Sequence, residues 1–274
     1  MDALDRHGSP GADPVERGQR AAAAIAAAAP RRQIVAFGGG GFSMEAGNPL
    51  LDDYVLALAQ ARAGDRPARV CFLPTASGDA DHYVVRFYRS FGAERCVPSH
   101  LTLFRRDGAG VDPAEHLLAQ DLIYVGGGSV VSLLGTWRAH GLDRVLREAW
   151  EAGVVLCGLS AGSLCWFAEG VSAFHGPARR IAGLGLLPCS NAVHYDGDRD
   201  AAYRRYVAEG MVAGYAVEDG AALHFTGERL KRVIASREGA RAYRIRLAER
   251  GRVVRSALAA RYLGDGSQIA ALAA

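Results

Sequence analysis

Short apolar runs, most opened by a single polar residue and ending in clusters of glycine or other small residues, constrain this sequence more than any other feature. Residues 33–37 (QIVAF) lead into Gly38–Gly41, residues 121–125 (DLIYV) into Gly126-Gly127-Gly128, and residues 154–159 (VVLCGL) into Ser160-Ala161-Gly162. Residues 69–74 (RVCFLP) form a fourth run. Runs this apolar offer no polar face to water, so each reads as a strand buried on both sides. The segments between them read as helices. Residues 48–63 carry Leu50, Leu51, Tyr54, Val55 and Leu58 at helical spacing, and 82–91, 130–139 and 142–152 follow suit. Asp112-Pro113-Ala114-Glu115 begins another helix, with Asp as cap, Pro in the first turn and Glu placed for a capping box.

This alternation predicts an α/β fold, a three-layer sandwich with a mainly parallel central sheet. Right-handed crossovers and ligand binding at the carboxyl ends of the strands follow as defaults. Residues 101–104 read as a further strand. Beyond Tyr215 the runs 221–225, 230–236 and 242–247 are short and β-rich, with turns at Thr226-Gly227-Glu228 and Glu238-Gly239. They predict antiparallel strands added at the sheet edge toward the C-terminus.

The 274 residues fit one large domain, and neither a repeat nor a linker divides residues 31–274. Residues 1–30 differ: a polar, Gly- and Pro-containing stretch is followed by alanines closed by Pro30. Alanines lack the Leu-like core of a secretory signal, so this reads as a disordered or partly helical extension. The chain has no run of roughly 20 apolar residues, which predicts no membrane span. A net charge of +3 with acids and bases interspersed predicts no nucleic-acid groove. Five cysteines without a C-x-x-C pair argue against a disulfide framework or a zinc site. Cys71, Cys157 and Cys165 sit in apolar contexts and read as buried free thiols, which favours a reducing, cytoplasmic setting.

The sharpest chemical feature is Gly158-Leu159-Ser160-Ala161-Gly162, a G-x-S-x-G between a strand and a helix. That is the setting of a nucleophile elbow, in which a tight turn lifts a serine hydroxyl above the sheet. Removed from this setting, the same five residues would read as a helix cap. A serine nucleophile at neutral pH needs a base. His194, in the polar loop 191–196, and His175, in the loop 15 residues after Ser160, both qualify, and spacing does not choose between them. His224 lies inside a β-rich run and reads as a packing residue. The amides of Gly127 or Gly128, with that of Ala161, are placed to form an oxyanion hole. Neither glycine cluster matches a dinucleotide fingerprint or a P-loop, which argues against a nucleotide site.

Taken together, these residues resemble peptidase E, the aspartyl dipeptidase family of the class I glutamine amidotransferase-like superfamily. The resemblance rests on the glycine-rich end of the first strand, Phe72-Leu73-Pro74-Thr75-Ala76, Val125-Gly126-Gly127-Gly128, Gly158–Ser163, His194-Tyr195-Asp196 and Glu218-Asp219-Gly220-Ala221-Ala222, in that order. It covers residues 33–243 and implies a serine peptidase cleaving dipeptides with N-terminal Asp, with Ser160 as nucleophile, His194 rather than His175 as base, and no metal or cofactor. The expected partner is a small peptide substrate, and a homodimer is compatible. The family's third catalytic residue is a carboxylate 13–18 residues after the serine, yet the loop Ser172-Ala173-Phe174-His175-Gly176 contains none. Asp196, Asp198 or Glu169 are the substitutes the sequence offers. Arg179 and Arg180 are its nearest cations for an aspartyl side chain. Two other readings stay open: a different serine exopeptidase or esterase on the same scaffold, cyanophycinase-like, and a binding or regulatory relative that lost the acid.

Overall fold

Whether an apolar run becomes a strand depends on whether both of its faces find cover, and four of these runs do. The structure, a computed structural model, describes residues 32–104, 112–264, 269 and 271. The 1–30 extension lies outside the described residues. The strands are β1 (Gln33–Phe37), β2 (Arg69–Leu73), β3 (Val97–His100), β4 (Leu122–Val125), β5 (Val155–Leu159), β6 (Phe167–Ser172) and β7 (Arg179–Ala182). They continue as β8 (Leu187–Ala192), β9 (Gly214–Val217), β10 (Ala221–Thr226), β11 (Arg229–Ala235), β12 (Ala242–Leu247), β13 (Val253–Leu258) and β14 (Ala260–Tyr262). The helices are α1 (Leu50–Ala63), α2 (Asp81–Ser90), α3 (Pro113–Leu118), α4 (Val130–His140), α5 (Leu142–Glu151), α6 (Ala161–Leu164) and α7 (Gly197–Ala208).

The main sheet has the order β14-β11-β10-β1-β5-β4-β2-β3. From β1 to β3 every pairing is parallel, and β10 adds antiparallel beside β1. Side chains alternate across it. Val35 and Phe37 of β1 face the layer of α1 and α2, while Ile34 and Ala36 face the opposite core with α4, α5 and α6. The mixed α/β class and mainly parallel sheet expected from sequence are therefore what forms.

Two expectations are corrected. The strand expected at 101–104 is instead β3 at Val97–His100, parallel to β2. Pro98 is tolerated there because β3 is an edge strand. The later strands do not all extend the sheet edge. Only β10, β11 and β14 do so, while β13-β12-β9-β8-β6-β7 form a second, six-stranded mixed sheet. It packs on the α4–α6 side of the main sheet, where Phe225 of β10 meets Phe167 of β6 and Tyr215 of β9 at centroid separations of 5.8 and 5.6 Å.

On the other side, Phe42, Phe72, Tyr83, Phe87, Phe91 and Tyr124 form an aromatic cluster with centroids 5.0–6.3 Å apart. Beside it Asp52 of α1 is 1% exposed and accepts a hydrogen bond from the Tyr124 hydroxyl at 3.1 Å. Burial raises its carboxyl from 3.8 to about 7, outweighing the stabilising bonds from Tyr124 and the Phe42 amide. A carboxyl raised above its unfolded value holds its proton more tightly in the folded state. Its contribution is complete below about pH 4 and is lost as the pH climbs through about 7. Asp52→Asn should therefore gain on wild type across that interval, by roughly 4 kcal/mol at most at alkaline pH. Urea denaturation at about pH 4 and pH 8 measures this, and a pH-independent difference would contradict it.

Candidate active site

The carboxyl ends of β1, β4 and β5 lie side by side, and the strand order reverses around them, a setting where open α/β sheets bind ligands. β5 ends at Leu159, and Ser160 takes φ 54° and ψ −114°, left-handed backbone that a residue with a Cβ seldom adopts. The turn is as tight as the pattern of glycines suggests. A Cβ on Gly158 would lie 2.4 Å from the Gly162 carbonyl oxygen, and one on Gly162 would lie 2.3 Å from that of Val125. The helix that follows, α6, has only four residues, so its dipole adds little. Its Ser163 hydroxyl accepts from Asn191 Nδ2 of β8 at 3.0 Å, which ties the turn to the second sheet.

His194 follows β8, also with a positive φ, of 49°. Its amide donates to the Gly38 carbonyl at 3.0 Å, and its Nδ1 lies 2.6 Å from Asp219 Oδ1. Asp219 sits in the short connection by which the chain passes from β9, in the second sheet, to β10, in the first. The Gly220 amide donates to the Gly39 carbonyl at 2.9 Å, which fixes that connection against the end of β1. The hydrogen bond from His194, aided by the charges of Arg237 and Arg199, holds the Asp219 carboxyl below its ordinary range despite partial burial.

The cluster Gly38–Gly41 thus serves close packing. A Cβ on Gly39 would stand 2.2 Å from Asp219 Oδ1 and 2.8 Å from His194 Nδ1.

Ser160 and His194 line two adjoining cavities. The larger, of about 540 Å³, also includes Gly127, Gly128, Tyr83 and Phe174, and the smaller, of about 120 Å³, includes Ala161 and Arg199. No hydrogen bond joins Ser160 to His194 in the structure; such pairs often tighten only when substrate binds. The amides of Gly128 and Ala161 have no acceptor among the described residues. That of Gly127 is engaged, donating to the Tyr83 hydroxyl at 3.0 Å, so Gly127 drops out of the expected donor set.

None of the three acids offered by the sequence is hydrogen-bonded to His194, whose Nδ1 is taken by Asp219. Asp196 caps α7, accepting from the Arg199 amide at 2.9 Å and its guanidinium at 2.6 Å. Asp198 is exposed in the first turn of that helix. Glu169 accepts from Arg180 Nε at 2.6 Å and from the Val212 amide at 2.9 Å across the β6–β7 hairpin. That bond also commits Arg180, and Arg179 is exposed and lines neither cavity. Arg199 lines the smaller cavity beside Ser160, and Arg86 the larger. His175 bonds Ser129 Oγ at 2.8 Å, and buried His224 bonds Tyr54 at 2.7 Å, with burial driving its pKa down to about 3.

The profile of peptidase family S51 matches residues 34–233. The chain is also 46% identical over 230 residues to the uncharacterized peptidase YgaJ of Bacillus subtilis (strain 168), spanning 83% of this chain and 97% of that protein. The chain belongs to peptidase family S51. Among solved structures, its fold is similar to that of a peptidase from an acI-B1 Actinobacterium, with a TM-score of 0.64 at 16% identity over 84% of this chain and 95% of the other. A candidate peptidase E protein from Listeria monocytogenes EGD-e gives a TM-score of 0.50 at 16% identity, over 84% and 100% of the two chains.

For an S51 peptidase, sequence reasoning missed three residues at this site: Asp219, Arg199 and Tyr83. Asp219 had a signal, an acid before glycine at the junction of two β-rich runs. Arg199 and Tyr83 had none beyond helical position. The contact between Gly39 and the His194–Asp219 pair makes a prediction. Gly39→Ala should displace that pair and lower peptide turnover roughly a hundredfold, since misplacement of about 1 Å costs that much. Steady-state kinetics on the folded variant checks this, and wild-type turnover would show that the pair is not needed.

Proposed function

We propose that the chain is a serine peptidase that cleaves short peptides, with Ser160 as nucleophile, His194 as general base and Asp219 orienting the imidazole. The observation that carries this reading is the 2.6 Å contact between His194 Nδ1 and Asp219 Oδ1, beside a cavity that Ser160 and His194 both line. A carboxylate on Nδ1 fixes the tautomer that leaves Nε2 free to accept a proton. The reaction would run as acyl transfer. Nε2 takes the Ser160 proton as Oγ attacks the peptide carbonyl, and the oxyanion is received by the Gly128 and Ala161 amides. The C–N bond then breaks, His194 gives its proton to the leaving amine, and water releases the acyl group. The left-handed backbone at both Ser160 and His194 supports the same reading, since strain of this kind collects at working sites. The binding or regulatory alternative drew on an acid missing from residues 172–176, and Asp219 now offers one.

Ser160→Ala should abolish turnover and labelling by a fluorophosphonate probe with the fold intact. Asp219→Asn should cut kcat roughly a thousandfold or more while retaining some labelling. Wild-type turnover in either variant would overturn the assignment.

The finer specificity is for an N-terminal aspartate. Arg199 lines the smaller cavity beside Ser160, and only its Nη1 and its amide bond Asp196. The rest of the guanidinium is available for a substrate carboxylate in two-point geometry. Arg199→Met should lower kcat/KM for Asp-Leu roughly a hundredfold with little change for Ala-Leu. Equal losses on both dipeptides would argue against an acidic pocket here.

A further inference from the structure

A cavity of about 770 Å³ lies next to the Ser160 cavity and has no part in the mechanism above. The two share Ser43, Met44 and Arg86 in their walls, so they are neighbouring parts of one depression. Arg86, Arg89 and Arg95 contribute three guanidinium groups to the larger one.

The charges there do not cancel. Arg95 is paired with Asp53 and bonded to the Ser90 carbonyl. Glu45 is taken by the Ser236 hydroxyl at 2.7 Å and by Arg237. Asp52 is buried, with its carboxyl raised to about 7, so its negative charge is incomplete at neutral pH. Arg86 makes one bond, from Nη1 to the Ser43 carbonyl at 3.3 Å, and Arg89 makes no ion pair among the described residues. Both project from α2, three residues apart and therefore neighbours on its surface. Two guanidinium groups without a carboxylate partner among the described residues, both lining one cavity, call for an anion.

We propose that Arg86, assisted by Arg89, receives the free C-terminal carboxylate of the peptide, making this cavity the leaving-group side of the site. The inference rests on the Ser160 peptidase reading and deepens it. Acyl transfer divides the substrate at the scissile carbonyl. The N-terminal residue stays on Ser160, and the remainder departs as an amine that has gained a proton from His194. With Arg199 beside the smaller cavity for the N-terminal side chain, the departing part extends through the larger opening toward Arg86. The one fixed negative charge on that part, whatever its side chain, is its carboxylate, and a guanidinium fork matches it in geometry. The width of the cavity leaves room for varied side chains on the departing residue. The enzyme is then an exopeptidase that measures its substrate from the C-terminal end, and internal peptide bonds of proteins are excluded.

The test compares Asp-Leu with its C-terminal amide, Asp-Leu-NH2, or the same pair on whichever X-Leu dipeptide is cleaved best in a panel. Wild type should favour the free acid in kcat/KM by roughly tenfold to a hundredfold, the worth of a hydrogen-bonded charge. In Arg86→Gln, and more fully in Arg86→Gln/Arg89→Gln, that ratio should fall toward one. Arg179→Gln, exposed on β7, should keep the wild-type ratio. An unchanged thermal midpoint shows that the variants fold, which their exposed positions favour. Equal wild-type rates on acid and amide, or a ratio that survives both substitutions, would overturn the carboxylate subsite and leave the peptidase reading standing. Failure of wild type to cleave any peptide of the panel would overturn the peptidase reading, and this inference with it.

Discussion

The contact between His194 and Asp219 holds together parts of the chain that nothing in the sequence brings near. Three segments meet there: the glycines after β1, the residue after β8, and the link between β9 and β10. The first belongs to the main sheet and the second to the smaller one, and the third passes from one to the other. Backbone hydrogen bonds from His194 to Gly38, Tyr195 to Val217 and Gly220 to Gly39 fix all three in register. Glu218 secures the link from behind, accepting from the Tyr243 hydroxyl at 2.7 Å and the Arg241 amide at 2.9 Å. Carboxylate and imidazole thus sit on a seam braced from both sheets, which suits a pair that must hold its geometry within fractions of an ångström.

Holding that geometry has a cost. Ser160 and His194 each sit in left-handed backbone, of order 1–3 kcal/mol apiece. That is about what burial of one or two large apolar side chains returns. The surroundings supply it. Leu159, Leu164, Cys165, Trp166 and Phe167, flanking Ser160 in the chain, are all buried, and Tyr195 and Val193 are buried on either side of His194. At Ser160 and His194 the strain falls on residues whose immediate chain neighbours are buried.

What could be read from sequence follows the same physical line. β1, β2, β4 and β5 were legible because a strand covered on both faces must be apolar throughout. The second sheet was not, because β7 (RRIA) is short and mostly exposed, and β9 (GYAV), though largely buried, has only four residues, two of them Gly and Ala, so neither carries such a signature. Nor was α7, in which only Tyr203 and Val207 are buried and the rest reads as polar loop. Ser160 announced itself through glycines that the tight turn requires. The carboxylate bonded to His194 lies 25 residues further on, and no local rule links them. Acids nearer in sequence attracted the expectation instead, though Asp196 is used as a helix cap and Glu169 as a hairpin tie.

The distribution of charge around Ser160 suits the acyl transfer proposed above. The proposed substrate carries a side-chain carboxylate beside its terminal ammonium and a second carboxylate at its other end, and the transition state would add an oxyanion between them, so cations on either side would help binding and chemistry alike. The same cations would oppose the arrival of a proton on His194 in that reaction. Asp219 resolves the conflict. Its carboxyl is held ionised by the hydrogen bond from His194 and by Arg199 and Arg237, so a negative charge stands 2.6 Å from the imidazole when the proton arrives. A carboxylate in direct contact with the imidazole outweighs guanidinium groups that make no contact with it, because the interaction falls with distance. On the proposed mechanism, cations can therefore crowd this site without silencing its base, provided the carboxylate stays where the seam between the sheets puts it.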